Sequence, residues 1–324
     1  MIMNFNKMLF TFTLNLGMLV SISSNSWMLI WAGLEISLVS IMPLMCKKSL
    51  MSSESTLKYF IIQSVSSSLM MLGVLMMVSH KNMSFNQLIV YSIMLKIGIA
   101  PLHNWMIQIS ESLEWLNLFL ILTILKIAPL NLLTYLNMKL NFYLVSSLIL
   151  GSTLAMNQNS VRKLLTYSSI FNMGFILASL SLNSVWMLYL IVYMFTFGIL
   201  ILFLSLMNLT YLNQMIINNK FKIMKLKVFM VLISMGGMPP MTSFLAKIMV
   251  IQVMILNKSF FTLIIIMITS MMVLFFYMRM SFLIFTFSSM KMKWNLISLQ
   301  EDKSWMMILV LTLSPLFLSF KFLS

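Results

Sequence analysis

Charge is what this sequence has least of. Of its 324 residues, 8% are charged and 61% are hydrophobic. A soluble domain carries about 25% charged residues and 45–50% apolar ones. So few charges cannot cover a water-soluble fold of this size, which excludes a cytosolic enzyme and a disordered chain. Acids are scarcer still: there are 6 against 21 Lys and Arg, and Asp302 is the only aspartate. The net charge of +15 is not a nucleic-acid footprint, because the cations are spread between long apolar runs and not clustered on one wet face. Cys46 is the only cysteine and His80 and His103 the only histidines. That removes disulfide frameworks, all-Cys clusters and Cys-based zinc sites. Neither G-x-G-x-x-G nor G-x-x-x-x-G-K-S/T occurs, so no phosphate-cradling loop is expected. The chain is expected to bind no cofactor and no metal.

What is present is apolar length. A membrane-spanning helix needs roughly 20 mostly apolar residues. Runs of this kind fall at 5–23, 26–45, 57–79, 88–108, 116–136, 140–156, 164–181, 185–208, 227–256, 259–284 and 304–322. The expected fold is all-α, a polytopic membrane protein of about eleven helices. The 164–181 run is the weakest, being short and carrying Ser168, Ser169 and Asn172. The run at 8–22 has only Lys7 before it and no small-residue cleavage site after it, so it is read as a first span and not a leader. Thirteen cations, including Lys7, Lys47, Lys48, Arg162, Lys163, Lys225 and Lys227, then fall on one side of the membrane, and Lys81, Lys139, Lys258 and Lys321 on the other. By the positive-inside rule the N-terminus lies on the cytoplasm-like side. The abundance of Met, 38 residues against 9 Gly, suggests an A/T-rich organelle genome, which would make that side a mitochondrial matrix.

Four cations and one acid remain inside the spans: Lys96, Lys126, Lys247, Arg279 and Glu35. A charge at the bilayer centre costs about 2.5–3.5 kcal/mol on insertion scales, and such groups pair, face water and do work. Arg279, near a span end, is expected to snorkel. The other cations sit beside prolines: Lys96 before Pro101, Lys126 before Pro129, and Lys247 after Pro239 and Pro240. A proline inside a helix frees the carbonyl four residues earlier; Pro101 would release Ile97 and Pro129 Leu125. Irregular backbone in a membrane is tolerated only within protein or beside water, so two broken helices are expected at 88–108 and 227–256. These are the fourth and ninth spans, an odd offset. It suggests two inverted five-helix repeats, as in transporters: residues 1–136 and 137–284, with 285–324 as a connecting loop and an added helix. His103 is a candidate proton relay. Ser64, Ser66, Ser67 and Ser68 read as close helix packing.

These residues carry a resemblance. Trp31-Ala32-Gly33-Leu34-Glu35, Leu57-Lys58-Tyr59-Phe60-Ile61-Ile62-Gln63, Lys96-Ile97-Gly98 with Ala100-Pro101-Leu102-His103, Lys126-Ile127-Ala128-Pro129, Arg162-Lys163-Leu164 and Gly236-Gly237-Met238-Pro239-Pro240 stand in an order that resembles the antiporter-like membrane chains of mitochondrial respiratory complex I, in the shorter animal form. The resemblance covers nearly the whole chain. It implies a proton-translocating subunit of the inner membrane, packed against other membrane-arm subunits and lipids. NADH, FMN, iron–sulfur clusters and ubiquinone would then be bound by other subunits. It also implies that Glu35 pairs with Lys96, that Lys126 is a central relay, and that Lys247 is the lysine of the second broken helix. The sequence departs from the family at Leu102, Asn172 and Ala246-Lys247-Ile248, where Phe, His and a Pro-Lys-Trp run are common.

An unperturbed lysine, at about 10.4, holds its proton too tightly to cycle. At ~4 Å and an effective dielectric near 20, Glu35 and Lys96 would interact by about 4 kcal/mol, roughly three pK units, so separating them would switch Lys96. The proton is then expected to pass from Lys96 through Lys126 and water towards Lys247. A freestanding cation/proton antiporter and a purely structural spacer are the competing readings.

Overall fold

Local signals start and stop the helices. Ser26 caps the second helix, its side chain accepting from the Leu29 N–H at 3.4 Å, which meets one of the donors a helix leaves orphaned at its start. Asn208, at φ 50°, ends another in the left-handed conformation, a common helix stop. The computed structural model describes residues 5–46, 49–80, 86–136, 138, 140–212, 214, 222–239 and 241–286. Its elements are α1 (Phe5–Ser23), α2 (Trp27–Met45), α3 (Leu50–His80), α4 (Asn86–Ile97), α5 (Asn104–Ser110), α6 (Trp115–Leu122), a 3-10 turn (Ile124–Lys126) and α7 (Ile127–Leu136). They continue as α8 (Asn141–Met156), α9 (Val161–Ser179), α10 (Asn183–Met207), α11 (Lys222–Gly236), α12 (Thr242–Leu256) and α13 (Phe260–Thr286). Among the described residues the only β pairing outside named strands is an isolated bridge from Ser160 to Tyr211.

Among the described residues, six helical stretches are long and apolar enough to cross a membrane: 5–23, 27–45, 50–79, 115–136, 184–207 and 260–282. Their outer faces carry large apolar side chains, such as Phe12, Val39, Ile191 and Met271. The third begins seven residues before its expected start, through Glu54 and Lys58, an i, i+4 pair at 2.6 Å of the kind that supports exposed helix turns. The expected span 304–322 lies outside the described residues.

The chain divides into two compact units, residues 1–143 and 144–324. In the first, α1 lies directly against α2. A Cβ on Gly17 would stand 2.8 Å from the Gly33 carbonyl oxygen, and one on Gly33 2.7 Å from that of Gly17 and from the Ser21 amide. The two backbones touch, as in small-xxx-small packing between membrane helices. Gly33 and Ser37 sit two residues to either side of Glu35, so this contact fixes how α2 presents its carboxylate. On α3, Ser66 and Ser67 are buried, Ser64 is half-buried and Ser68 is exposed, so the serine run packs in part.

In the second unit, α9 is buried on every face from Leu164 to Ser179. This is the run that looked weakest as a span. Its Ser168, Ser169 and Asn172 are tolerated because protein, and not lipid, surrounds it. Lys225 and Lys227 also depart from expectation. They belong to α11, with 4% and 0% exposure, and are not loop cations.

The glycine contact predicts a sensitive site. Gly33→Val should push α1 off α2, costing about 1–3 kcal/mol as overpacking does. The expected result is a lower thermal midpoint and less of the chain in its assembled membrane complex, read by native electrophoresis.

Candidate functional site

Glycine, and not proline, ends the two broken helices. α4 stops at Ile97, and Gly98 follows at φ 73°. The Gly98 and Ile99 N–H groups both donate to the Met94 carbonyl, at 3.0 and 3.2 Å. α11 stops at Gly236, and Gly237 follows at φ 83°, with the Gly237 and Met238 N–H groups donating to Ile233 at 3.2 and 3.5 Å. A left-handed residue just past the last turn, with these bonds, is a glycine C-cap. Pro101 and Pro239 come three and two residues later. They keep the helix from resuming but do not stop it; the Ala100–Pro101 peptide is cis. Pro240 lies outside the described residues.

The third proline, Pro129, lies in the first turn of α7, and the chain is irregular just before it. Pro129 has no N–H for the carbonyl of Leu125. The turn before it tightens to a 3-10 form, the Lys126 N–H donating to Thr123 at 3.1 Å. Lys126 thus sits in a third interruption, between α6 and α7.

Lys96 and Lys126 line one cavity of about 30 Å³, with Ser37, Tyr59, Gln63 and Trp105 among its walls. A water needs roughly 10–15 Å³ of such space and two or more polar partners, so the cavity has room for about two. Lys126 is 2% exposed. Gln63 reaches across from α3, its Nε2 donating to the Lys96 carbonyl at 3.2 Å. Tyr59 packs on Trp105 with ring centroids 6.0 Å apart.

Glu35 is half-buried on α2, and its Oε1 is buried without a hydrogen-bond partner among the described residues. Its charge acts on both Lys96 and Tyr59. Among the described residues the ion pair within 4.0 Å is Glu54–Lys58; Glu35 and Lys96 do not close to that distance. The expected contact pair is therefore a pair coupled through space, weaker than the contact figure because Coulomb energy falls with distance. His103 lies in the first break at 5% exposure, its Nδ1 3.2 Å from the Pro101 carbonyl oxygen, and is not part of the cavity wall.

Lys247, in the second unit, has its own surroundings. Its Nζ donates to the Gly236 carbonyl at 2.7 Å and lies 5.9 Å from the Phe175 ring centre. A Cβ on Gly237 would come within 2.5 Å of that Nζ, so glycine is needed there for space as well as for φ. The ammonium caps the negative end of α11, where a cation is favoured. Phe175 stacks on Tyr189 at 5.6 Å, and the Tyr189 hydroxyl donates to Asn172 Oδ1 at 2.9 Å. Asn172 thus belongs to the Lys247 neighbourhood. Arg279 does not merely snorkel. Its Nη1 donates to the Met156 carbonyl at 3.1 Å, capping α8.

Sequence reasoning missed Gly98 and Gly237 as helix stops, Tyr59 and Gln63 as polar walls of the cavity, and Tyr189 as the partner of Asn172. The glycines had a signal: each follows a helix-length run and precedes a proline. The others are single polar residues in apolar runs, and only their neighbours give them a role.

The comparisons with known proteins give the family and the fold. Residues 24–273 match the family model described as NADH:quinone oxidoreductase/Mrp antiporter, TM. The NADH-ubiquinone oxidoreductase chain 2 of Anopheles gambiae is 39% identical over 303 residues, covering 89% of this chain and 88% of its own. Among solved structures, a chain of respiratory complex I from Thermus thermophilus with bound aureothin superposes at TM-score 0.83 and 18% identity, over 97% of this chain and 77% of that one. A chain of the Mrp complex from Dietzia sp. DQ12-45-1b does so at 0.73 and 13%, over 86% and 59%. Those two likenesses speak for the fold, an antiporter-like helical membrane fold. The chain belongs to the NADH:quinone oxidoreductase/Mrp antiporter transmembrane family, among its NADH-ubiquinone oxidoreductase chain 2 members.

Proposed function

We propose that the chain is a core membrane subunit of respiratory complex I and a proton-translocating module coupled to NADH:ubiquinone electron transfer. The observation that carries this reading is the cavity, with room for about two waters, lined by both Lys96 and Lys126. Two amines share a wall of Ser37, Tyr59 and Gln63, and water between them can pass a proton from one to the other. Glu35 sets the proton affinity of Lys96 from a distance, so a displacement of α2 or α4 changes that affinity without breaking a contact. The relay is proposed to continue to Lys247. His103, held to the Pro101 carbonyl, is a secondary candidate.

On this reading the chain sits in the mitochondrial inner membrane as a multi-pass protein, N-terminus on the matrix side. Other membrane-arm subunits, antiporter-like neighbours among them, and lipids are its partners. NADH, FMN, iron–sulfur clusters and ubiquinone belong to other subunits. The two-repeat organisation, 1–136 and 137–284 with about eleven helices in all, is supported by the order of elements. In each half the fourth spanning element is the one that breaks at a left-handed glycine. A second reading, a cation/proton antiporter that works alone, is favoured by the fold likeness to the Mrp complex. Sodium-dependent proton exchange by the isolated chain in vesicles would support it.

Two variants test the first reading in the assembled complex. Lys126→Met should leave electron transfer to a soluble acceptor intact and slow proton pumping by ~100-fold, the scale of losing one general acid–base group. Wild-type NADH oxidation and pumping together would sink the relay. Gln63→Leu should lose about 1 kcal/mol of stability with its hydrogen bond. It should also lower pumping more than assembly, which flow-dialysis and native electrophoresis separate.

A further inference from the structure

Arg279 stands apart from the lysine relay. It lies within the apolar stretch 260–282 of α13, and its side chain is exposed. Its Nη1 donates to the Met156 carbonyl at the end of α8, at 3.1 Å. A guanidinium carries five N–H donors in a rigid planar fork. Among the described residues this is the one bond the fork makes. It holds the group in place while the rest of the guanidinium stays exposed.

Depth and surroundings say what meets the remaining donors. α13 starts at Phe260, just after the exposed Lys258, which marks one edge of the hydrocarbon. At 1.5 Å per residue, Arg279 lies about 28 Å along the helix from Phe260, and the hydrocarbon core is roughly 30 Å thick. The guanidinium therefore stands at the opposite edge, at headgroup level. An exposed apolar stripe leads up to it: Phe261, Ile264, Ile268, Met271 and Phe275 recur at helical spacing, and Arg279 is the next step. All five are bulky. A face that packs on another membrane helix is rich in Gly, Ala, Ser and Thr, which let backbones approach, and this stripe has none of them. It suits acyl chains, and the cation at its end suits the negative charge of a headgroup.

We propose that Arg279 binds the phosphate of an anionic phospholipid whose acyl chains lie along the stripe from Phe275 towards Phe261. Guanidinium and phosphate match in charge and in the paired geometry of donors and acceptors. A zwitterionic headgroup brings its own ammonium to the phosphate, so a headgroup of net negative charge is the better partner. The Met156 carbonyl orients the fork, and the lipid is held where α8 ends. The proposal rests on the multi-pass membrane placement and not on the lysine relay, which can fail at Lys126→Met without touching it.

The test uses the assembled complex, delipidated in detergent and returned to nanodiscs of phosphatidylglycerol or of phosphatidylcholine. In phosphatidylglycerol, a structure should place a headgroup phosphate within about 3 Å of the guanidinium, with its chains on α13. A carboxylate of a neighbouring subunit in that position, or a headgroup equally well ordered in phosphatidylcholine, overturns the proposal. Inorganic phosphate bound there in the delipidated complex would mean an anion site and no lipid site, and overturns it too. Arg279→Gln keeps a donor for Met156 and removes the charge. By native mass spectrometry it should hold phosphatidylglycerol about tenfold more weakly, the scale of a hydrogen bond to a charged group, and Arg279→Lys should recover part of the loss. Equal retention by the wild type and Arg279→Gln sinks the site. Should Arg279→Gln not assemble, the nanodisc structures of the wild-type complex decide.

Discussion

A helix that ends inside an apolar medium leaves carbonyl oxygens that must find donors, and the rest of this structure is arranged around that requirement. Four helix ends show the same solution. Asn117 donates to Leu44 in the last turn of α2 at 2.6 Å, and Gln63 to Lys96 near the end of α4 at 3.2 Å. Arg279 donates to Met156 at the end of α8 at 3.1 Å, and Lys247 to Gly236 at the end of α11 at 2.7 Å. Each donor is a long polar side chain from a different element. In a soluble protein water would meet most of these carbonyls. Here the sequence spends its few polar residues on them, which is why a chain with 8% charge can contain interrupted helices at all.

The same requirement explains why lysine suits the broken helices. The end of a helix carries partial negative charge, so an ammonium there is stabilised. That offsets part of what burial in an apolar medium costs a charge. A lysine that gives up its proton keeps two N–H donors, so Lys247 can go on capping Gly236 in either protonation state. Capping and protonation state are then not in conflict: the helix end would stay satisfied whether or not the amine carries its charge. An arginine would cap equally well, as Arg279 does for α8, but it holds its proton too firmly to exchange it. Of the two residue types, only lysine could both cap a helix end and exchange a proton.

Much of this was legible in the sequence. Runs of about 20 apolar residues located most of the described helices to within a few residues, α3 with its early start being the exception, because the hydrocarbon thickness leaves little choice. The intramembrane charges pointed to Glu35, Lys96, Lys126 and Lys247, because nothing else justifies their cost. The errors have physical causes. Proline was credited with ending the helices since its missing N–H is visible in one dimension, whereas the positive φ of Gly98 and Gly237 is a property of the folded backbone. Residues 164–181 looked doubtful because hydropathy measures affinity for lipid, and α9 contacts protein. Lys225 and Lys227 were counted as loop cations because a window cannot tell a flank from a buried first turn. Gln63 and Tyr59 stood in a segment that carries the resemblance, but their place beside Lys96 and Trp105 depends on what α4 and α5 bring to them.

The spacing of Glu35 and Lys96 bears on why the charges are there. A purely structural ion pair in a low-dielectric interior gains most by closing to contact, because the attraction has to offset the desolvation of both ions. These two groups do not close. Glu35 keeps a buried oxygen without a hydrogen-bond partner among the described residues, and its field falls on both Lys96 and Tyr59. An arrangement that forgoes contact energy is costly as architecture. It is useful where the coupling has to be adjusted, because a through-space interaction changes smoothly with separation while a contact pair must first be broken. The glycine seat of α2 on α1, two residues from Glu35, then acquires a second meaning: it holds the carboxylate in place relative to the cavity that Lys96 and Lys126 line.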